Sequence, residues 1–194
     1  MPYLRRLLFL LRISDSSQIA RRYFVTNGFD GALAMLGLVT GFRLSGNPDL
    51  ETALWACIGT AVALATSGVS SAYVSESAER EKALQELERA MAGESLAASA
   101  HARAARLAAF FVALVNGGAP LLLASFITLP IWLETRGANL GLPALDAATA
   151  IAFIEIALLG AFLGKIANRH WFLMAVRTSL IAAATAAIIY MLGS

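Results

Sequence analysis

Three ionisable residues stand inside stretches otherwise apolar enough for hydrocarbon: Asp30, Glu155 and Arg177. A charge in a bilayer is costly, so such groups turn into a bundle or a wet path, and they tend to carry ions or protons. Asp30 sits in Asn27-Gly28-Phe29-Asp30-Gly31. The glycines let a backbone or an ion come close. Asn27 adds a neutral oxygen about one helical turn from the carboxylate, and this oxygen set suits a divalent cation. An ion pair is the competing reading. Asp30 lies about seven residues into its stretch and Arg177 about six into its own, so their depths match. Glu155 lies near the middle of a third stretch with no basic neighbour in sequence. It either faces the bundle interior, where it can take up and release a proton, or stays neutral and hydrogen-bonded to a neighbouring helix.

Asn116 precedes Gly117-Gly118-Ala119-Pro120. Pro120 lacks an N–H and is expected to kink its helix, freeing carbonyls near Asn116. Such breaks occur where they line a cavity or are packed by protein, so Asn116 belongs either to an ion path or to a packing kink. Gly37-Leu38-Val39-Thr40-Gly41 has the spacing of a close helix-packing face.

A second set of carboxylates follows Tyr73, in Ser75-Glu76-Ser77-Ala78-Glu79-Arg80-Glu81-Lys82-Ala83-Leu84-Gln85-Glu86-Leu87-Glu88-Arg89-Ala90-Met91. Projected on a helix, Ala83, Leu84, Leu87, Ala90 and Met91 share a face. Glu79 and Glu86 line one edge of it with Glu76 close by, while Glu81 and Glu88 point away. Carboxylates in rows bind hard or borderline divalent cations. The same residues also fit helix-stabilising pairs, namely Glu76–Arg80, Glu79–Lys82 and Glu86–Arg89.

The elements that position these groups follow from composition. Hydrophobic residues make up 58% of the 194 and charged residues 14%, against about 45–50% and 25% in soluble domains. The excess apolar surface wants lipid. Five stretches reach the ~20 residues a spanning helix needs: 23–44, 53–74, 107–133, 144–167 and 171–192. They lack strand alternation and are rich in Ala and Leu, so they read as helices. The predicted fold is all-α and polytopic, with five transmembrane helices and the second extended into the cytoplasm to about Ala92.

Residues 1–22 form a basic N-terminal segment, too basic and too broken by Arg12 for a cleaved leader. Within it, residues 4–11 read as a short interfacial helix or a basic tail. Spans one and two occupy 23–74, a helical linker occupies 75–106 and includes a second short helix after Gly93, and spans three to five occupy 107–194. Spans four and five are joined by a turn at 168–170 and form an antiparallel hairpin. Arg and Lys cluster before span one, between spans two and three, and between spans four and five. This bias predicts a multi-pass cell-membrane protein with its N-terminus in the cytoplasm and its C-terminus outside. The same bias accounts for the basic residues, so nucleic acid is not an expected partner. The sequence contains no nucleophile–base pairing, phosphate loop or His/Cys cluster, and a single cysteine, Cys57. No enzyme and no resident cofactor are expected.

Taken in order, these residues resemble the vacuolar iron transporter family. Arg22-Tyr23-Phe24-Val25-Thr26-Asn27-Gly28-Phe29-Asp30-Gly31 is similar to its first-span Asp-Gly element. Ser71-Ala72-Tyr73-Val74-Ser75-Glu76-Ser77-Ala78-Glu79-Arg80-Glu81 is similar to the end of its second span. Gly118-Ala119-Pro120 with Pro130 resembles the third span, and Ile188-Ile189-Tyr190-Met191-Leu192-Gly193 the last. The resemblance implies a homodimer moving Fe(II) or Mn(II) out of the cytoplasm in exchange for protons. It places Asp30 on the ion path and Glu76, Glu79 and Glu86 in a cytoplasmic metal-binding region. The family's second-span acid and methionine fall near Thr60 and Gly68, which supply neither carboxylate nor thioether. The implied branch is therefore divergent and prokaryotic, with either a path rebuilt around Glu155 or a different substrate. A non-transporting scaffold or metal sensor, dimerising through the span-two extension, is the alternative.

Overall fold

The computed structural model describes residues 16–46, 49–91, 95–96 and 99–193. Helices hold 89% of them, and no strand occurs among the described residues. The helices are α1 (Ser16–Leu44), α2 (Leu50–Ala90), α3 (Ala100–Thr135), α4 (Ala144–Ile166) and α5 (Trp171–Gly193). Helices α2 to α5 are long and apolar enough to cross a membrane, as in a multi-pass membrane protein. Helix α1 has the length, 29 residues, but Asn27, Asp30 and the glycines Gly28, Gly31, Gly37 and Gly41 dilute its apolar run, so it falls short of the other four. The proposed interfacial helix at 4–11 lies outside the described residues.

Helix α2 is continuous over 41 residues; its run of good helix formers offers nothing to stop it before Gly93. Among the described residues no separate short helix precedes span three; residues 100–106 are helical but continuous with it. Helix α3 starts at Ala100 and runs straight into the apolar span, because no Gly or Pro interrupts 100–116. Ser99 caps it: the Ala102 N–H donates to Ser99 Oγ at 3.2 Å. Nor does Pro120 end the helix, since α3 carries both Pro120 and Pro130 inside it.

The chain divides into two compact units. The first comprises Met1–Phe24 with Thr66–Gly118, the second Val25–Ala65 with Ala119–Ser194. In the first, the second half of α2 lies along the start of α3. Ala72, Ala102, Ala104, Ala108, Ala109 and Ala113 are buried, and side chains this small let helix backbones approach closely. The buried Asn116 amide donates to the Gly68 carbonyl at 2.8 Å and ties α3 to α2. Glu88 accepts from the Leu96 N–H at 2.7 Å, fastening the connection beyond α2.

The second unit has a core of Ala32, Met35, Leu36, Val39, Cys57, Ile127, Ile131 and Ile156. Its loops are closed by caps. Asp49 accepts from the Glu51 and Thr52 N–H groups at 3.2 and 3.3 Å and from the Thr52 hydroxyl. The Thr52 hydroxyl, then these backbone donors, hold its carboxyl below the usual carboxylate range. Glu134 accepts from the Ala144 N–H at 2.7 Å at the start of α4, and Arg43 pairs with Asp146. The α4–α5 turn places Asn168 in the left-handed region, φ 50°. The Arg169 N–H donates back to the Gly164 carbonyl at 2.9 Å, a Schellman closure in which Asn takes the usual glycine position.

Three glycines set how closely the helices of this unit approach. A Cβ on Gly31 would meet Pro120 Cα at 2.8 Å, so α1 packs directly on the α3 backbone. A Cβ on Gly160 would lie 2.8 Å from the Met174 carbonyl oxygen, and one on Gly164 2.7 Å from Trp171 Cα. The Thr178 hydroxyl, also in hydrogen-bond range of its own helix, reaches the Ile156 carbonyl at 3.1 Å. The small-residue packing face is thus Gly160-x-x-x-Gly164. At Gly37 and Gly41 an added Cβ would meet one side-chain atom at 3.6 Å and open space, respectively.

Candidate functional site

Asp30 owes its orientation to the glycines around it. Gly28 and Gly31, three residues apart, lie on one face of α1 and are both buried. Gly28 faces Ala119, Leu123 and Leu159, and Gly31 faces Pro120. Asp30 is two residues on from Gly28, about 200° around the helix. Its side chain therefore leaves the packed face, and Asp30 is exposed, as is Thr26 one turn earlier. Asn27 is half-buried on the same helix.

Glu155 has the opposite environment. It sits near the middle of the 23-residue α4 and is buried, 8% exposed. Its Oε2 is enclosed without a hydrogen-bond partner among the described residues. One turn on, Leu159 is the α4 side chain that faces Gly28 of α1. The Glu155 face of α4 is thus turned toward the stretch of α1 that carries Asp30. The second unit brings an outward carboxylate and an enclosed one to neighbouring levels of two packed helices.

Arg177 of α5 is exposed. Among the described residues no ion pair joins it to Asp30, so the equal depth of the two residues does not bring them together within one chain.

Asn116, Glu76, Glu79 and Glu86 belong to the first unit, Asn27, Asp30 and Glu155 to the second. The Asn116 side-chain amide is bonded to Gly68. Glu76 is buried, 8% exposed, with its carboxylate 3.3 Å from Arg80 Nη2. Glu79 and Glu86 are exposed, so the three glutamates do not share one environment. Among the described residues no three His, Cys, Asp or Glu side chains gather as a metal cage.

Sequence reasoning passed over the Gly160/Gly164 face and the reach of Thr178 to Ile156, while the close backbone approach expected at the glycines beside Asp30 is made by Pro120 against Gly31. The four-residue spacing of Gly160 and Gly164 was a usable signal. The partners Thr178 and Pro120 lie on other helices, and no local pattern points to them. In comparisons with known proteins, no family model matches the chain, no curated protein matches it, and no solved structure matches it.

Proposed function

We propose that this chain is a five-span membrane transporter that exports Fe(II) or Mn(II) from the cytoplasm in exchange for protons, working as a homodimer. The observation that carries the reading is the pair of carboxylates on α1 and α4. An exposed Asp30 facing acyl chains would cost about 2.5–3.5 kcal/mol or more. A cation, or a second copy that covers it, removes that cost. Glu155, enclosed and with an acceptor oxygen to spare, is suited to hold the counter-moving proton. Antiport follows from the chemistry, because a carboxyl must shed its proton to bind metal.

In this reading α1 crosses the membrane together with the other four helices. The N-terminus lies in the cytoplasm and the C-terminus outside, in keeping with the distribution of Arg and Lys. Asn27 assists Asp30. Exposed Glu79 and Glu86 gather cations at the cytoplasmic mouth, and Glu76 joins them only by leaving Arg80. The resemblance to the vacuolar iron transporter family supports the same assignment.

A second reading rests on exposed Leu87 (39%) and Met91 (46%) at the end of α2. These are apolar side chains through which a non-transporting scaffold or sensor would dimerise. The two readings separate in reconstituted vesicles. Mn(II) or Fe(II) uptake by the intact protein is expected, and Asp30→Ala should lower it by about a hundredfold or more. Removing one partner of a desolvated ionic contact costs about 3–5 kcal/mol. Uptake of neither metal by monodisperse protein would leave the scaffold.

A further inference from the structure

Where α2 begins and α3 ends, the second unit holds a cavity of about 380 Å³, within the ~300–1,000 Å³ of small-molecule sites. Glu51, Trp55 and Ile58 line it from α2, and Trp132, Thr135 and Arg136 from the end of α3. Its charges are opposite and separate: among the described residues no ion pair joins Glu51 to Arg136. The Arg136 guanidinium instead lies over the Trp132 ring, 5.5 Å from its centroid, an arrangement favoured by the ring's negative face. The Thr135 hydroxyl donates to the Trp132 carbonyl at 2.8 Å, so its oxygen remains to accept. Two separated charges of opposite sign around one cavity call for a ligand that carries both.

The surroundings say which kind. Trp55 is 63% exposed and Trp132 41%, at the ends of two helices apolar enough to span a bilayer. Tryptophan so placed sits at headgroup level. Trp55, Ile58 and Val62 follow at helical spacing on α2, with Val62 52% exposed, making an apolar track from the cavity toward the hydrocarbon.

We propose that this cavity binds the headgroup of an aminophospholipid. The lipid phosphate meets Arg136. The primary ammonium donates to the Glu51 carboxylate and the Thr135 oxygen, and an acyl chain follows Trp55, Ile58 and Val62. An anionic headgroup without an amine leaves Glu51 facing phosphate. A quaternary ammonium cannot donate hydrogen bonds to these oxygens, so it forgoes the contacts to Glu51 and Thr135 that select a primary amine.

The test is native mass spectrometry of the detergent-purified full chain with phosphatidylethanolamine, phosphatidylcholine and phosphatidylglycerol of identical acyl chains. Phosphatidylethanolamine should be retained about tenfold over the other two, the factor expected of one charge-assisted hydrogen bond. Glu51→Gln should remove that preference, and Arg136→Gln should weaken retention of all three. Both residues are on the surface, so both variants should stay folded. Equal retention of the three lipids by the wild type would overturn the proposal, and so would a preference that survives Glu51→Gln. Two further results would do the same. One is competition by tail-free glycerophosphoethanolamine as strong as by the lipid, which would point to a soluble ligand. The other is a change of oligomer mass in Glu51→Gln, which would make the cavity an interface between copies.

Discussion

Gly160→Val should destabilise the protein by roughly 2–4 kcal/mol, the sum of overpacking and a lost interhelical hydrogen bond. Even the first carbon of the new side chain would lie 2.8 Å from the Met174 carbonyl oxygen. That obstacle is backbone and cannot rotate away, so α5 must move off α4. The movement would break the reach of Thr178 to Ile156, 3.1 Å in the packed hairpin. Helix α5 has few other anchors, since its buried residues are Thr178 and Ala182. Unfolding in mixed micelles followed by circular dichroism measures the loss. Gly41→Ala is the control: a Cβ there meets nothing within 4 Å, and alanine in place of glycine favours a helix by up to about 1 kcal/mol. A Gly160→Val protein as stable as the wild type would mean that the α4–α5 contact contributes little.

Glu155→Gln should leave the fold intact and lower metal-driven proton counterflow by about tenfold or more, tenfold being roughly 1.4 kcal/mol of barrier. Glutamine keeps the shape of a neutral glutamic acid and, like it, has both a donor and an acceptor, but it cannot bind and release a proton. The substitution therefore separates the two readings of Glu155. A structural, permanently neutral Glu155 would be replaced without loss. A proton carrier would not, and its loss would show as a missing signal from a pH-sensitive dye inside the vesicles while the protein remains monodisperse. The enclosed, unbonded Oε2 favours the second outcome, because a purely structural buried acid normally has its oxygens bonded.

The sequence made the helices legible because hydropathy and propensity act locally. The unbroken α2 follows from seventeen residues after Tyr73 without a helix breaker. The hairpin turn near Asn168 follows from the shortness of the polar gap. The alanine-rich run before span three reads as helix, and residues 100–106 are helical; with no Gly or Pro from 100 to 116, that helix continues into the span instead of standing apart. Asp30 and Glu155 stood out by type alone. Their opposite exposure did not, since it depends on which face of each helix meets another. Gly28 and Gly31 fix that face of α1 by packing on Leu159 and Pro120, residues some 90 to 130 positions away in the chain. The apparent Asp30–Arg177 pair shows the same limit, for matched depth says nothing about azimuth around the helix.

Proton-coupled metal export is tested most directly with the intact protein in acid-loaded vesicles, with equal Mn(II) on both sides at the start. The account predicts that protons leaving down their gradient draw Mn(II) inward above its external concentration, and that a protonophore collapses the accumulation. Vesicles that never concentrate Mn(II) or Fe(II) under an imposed pH gradient, or that take up metal with no response to the protonophore, would contradict it.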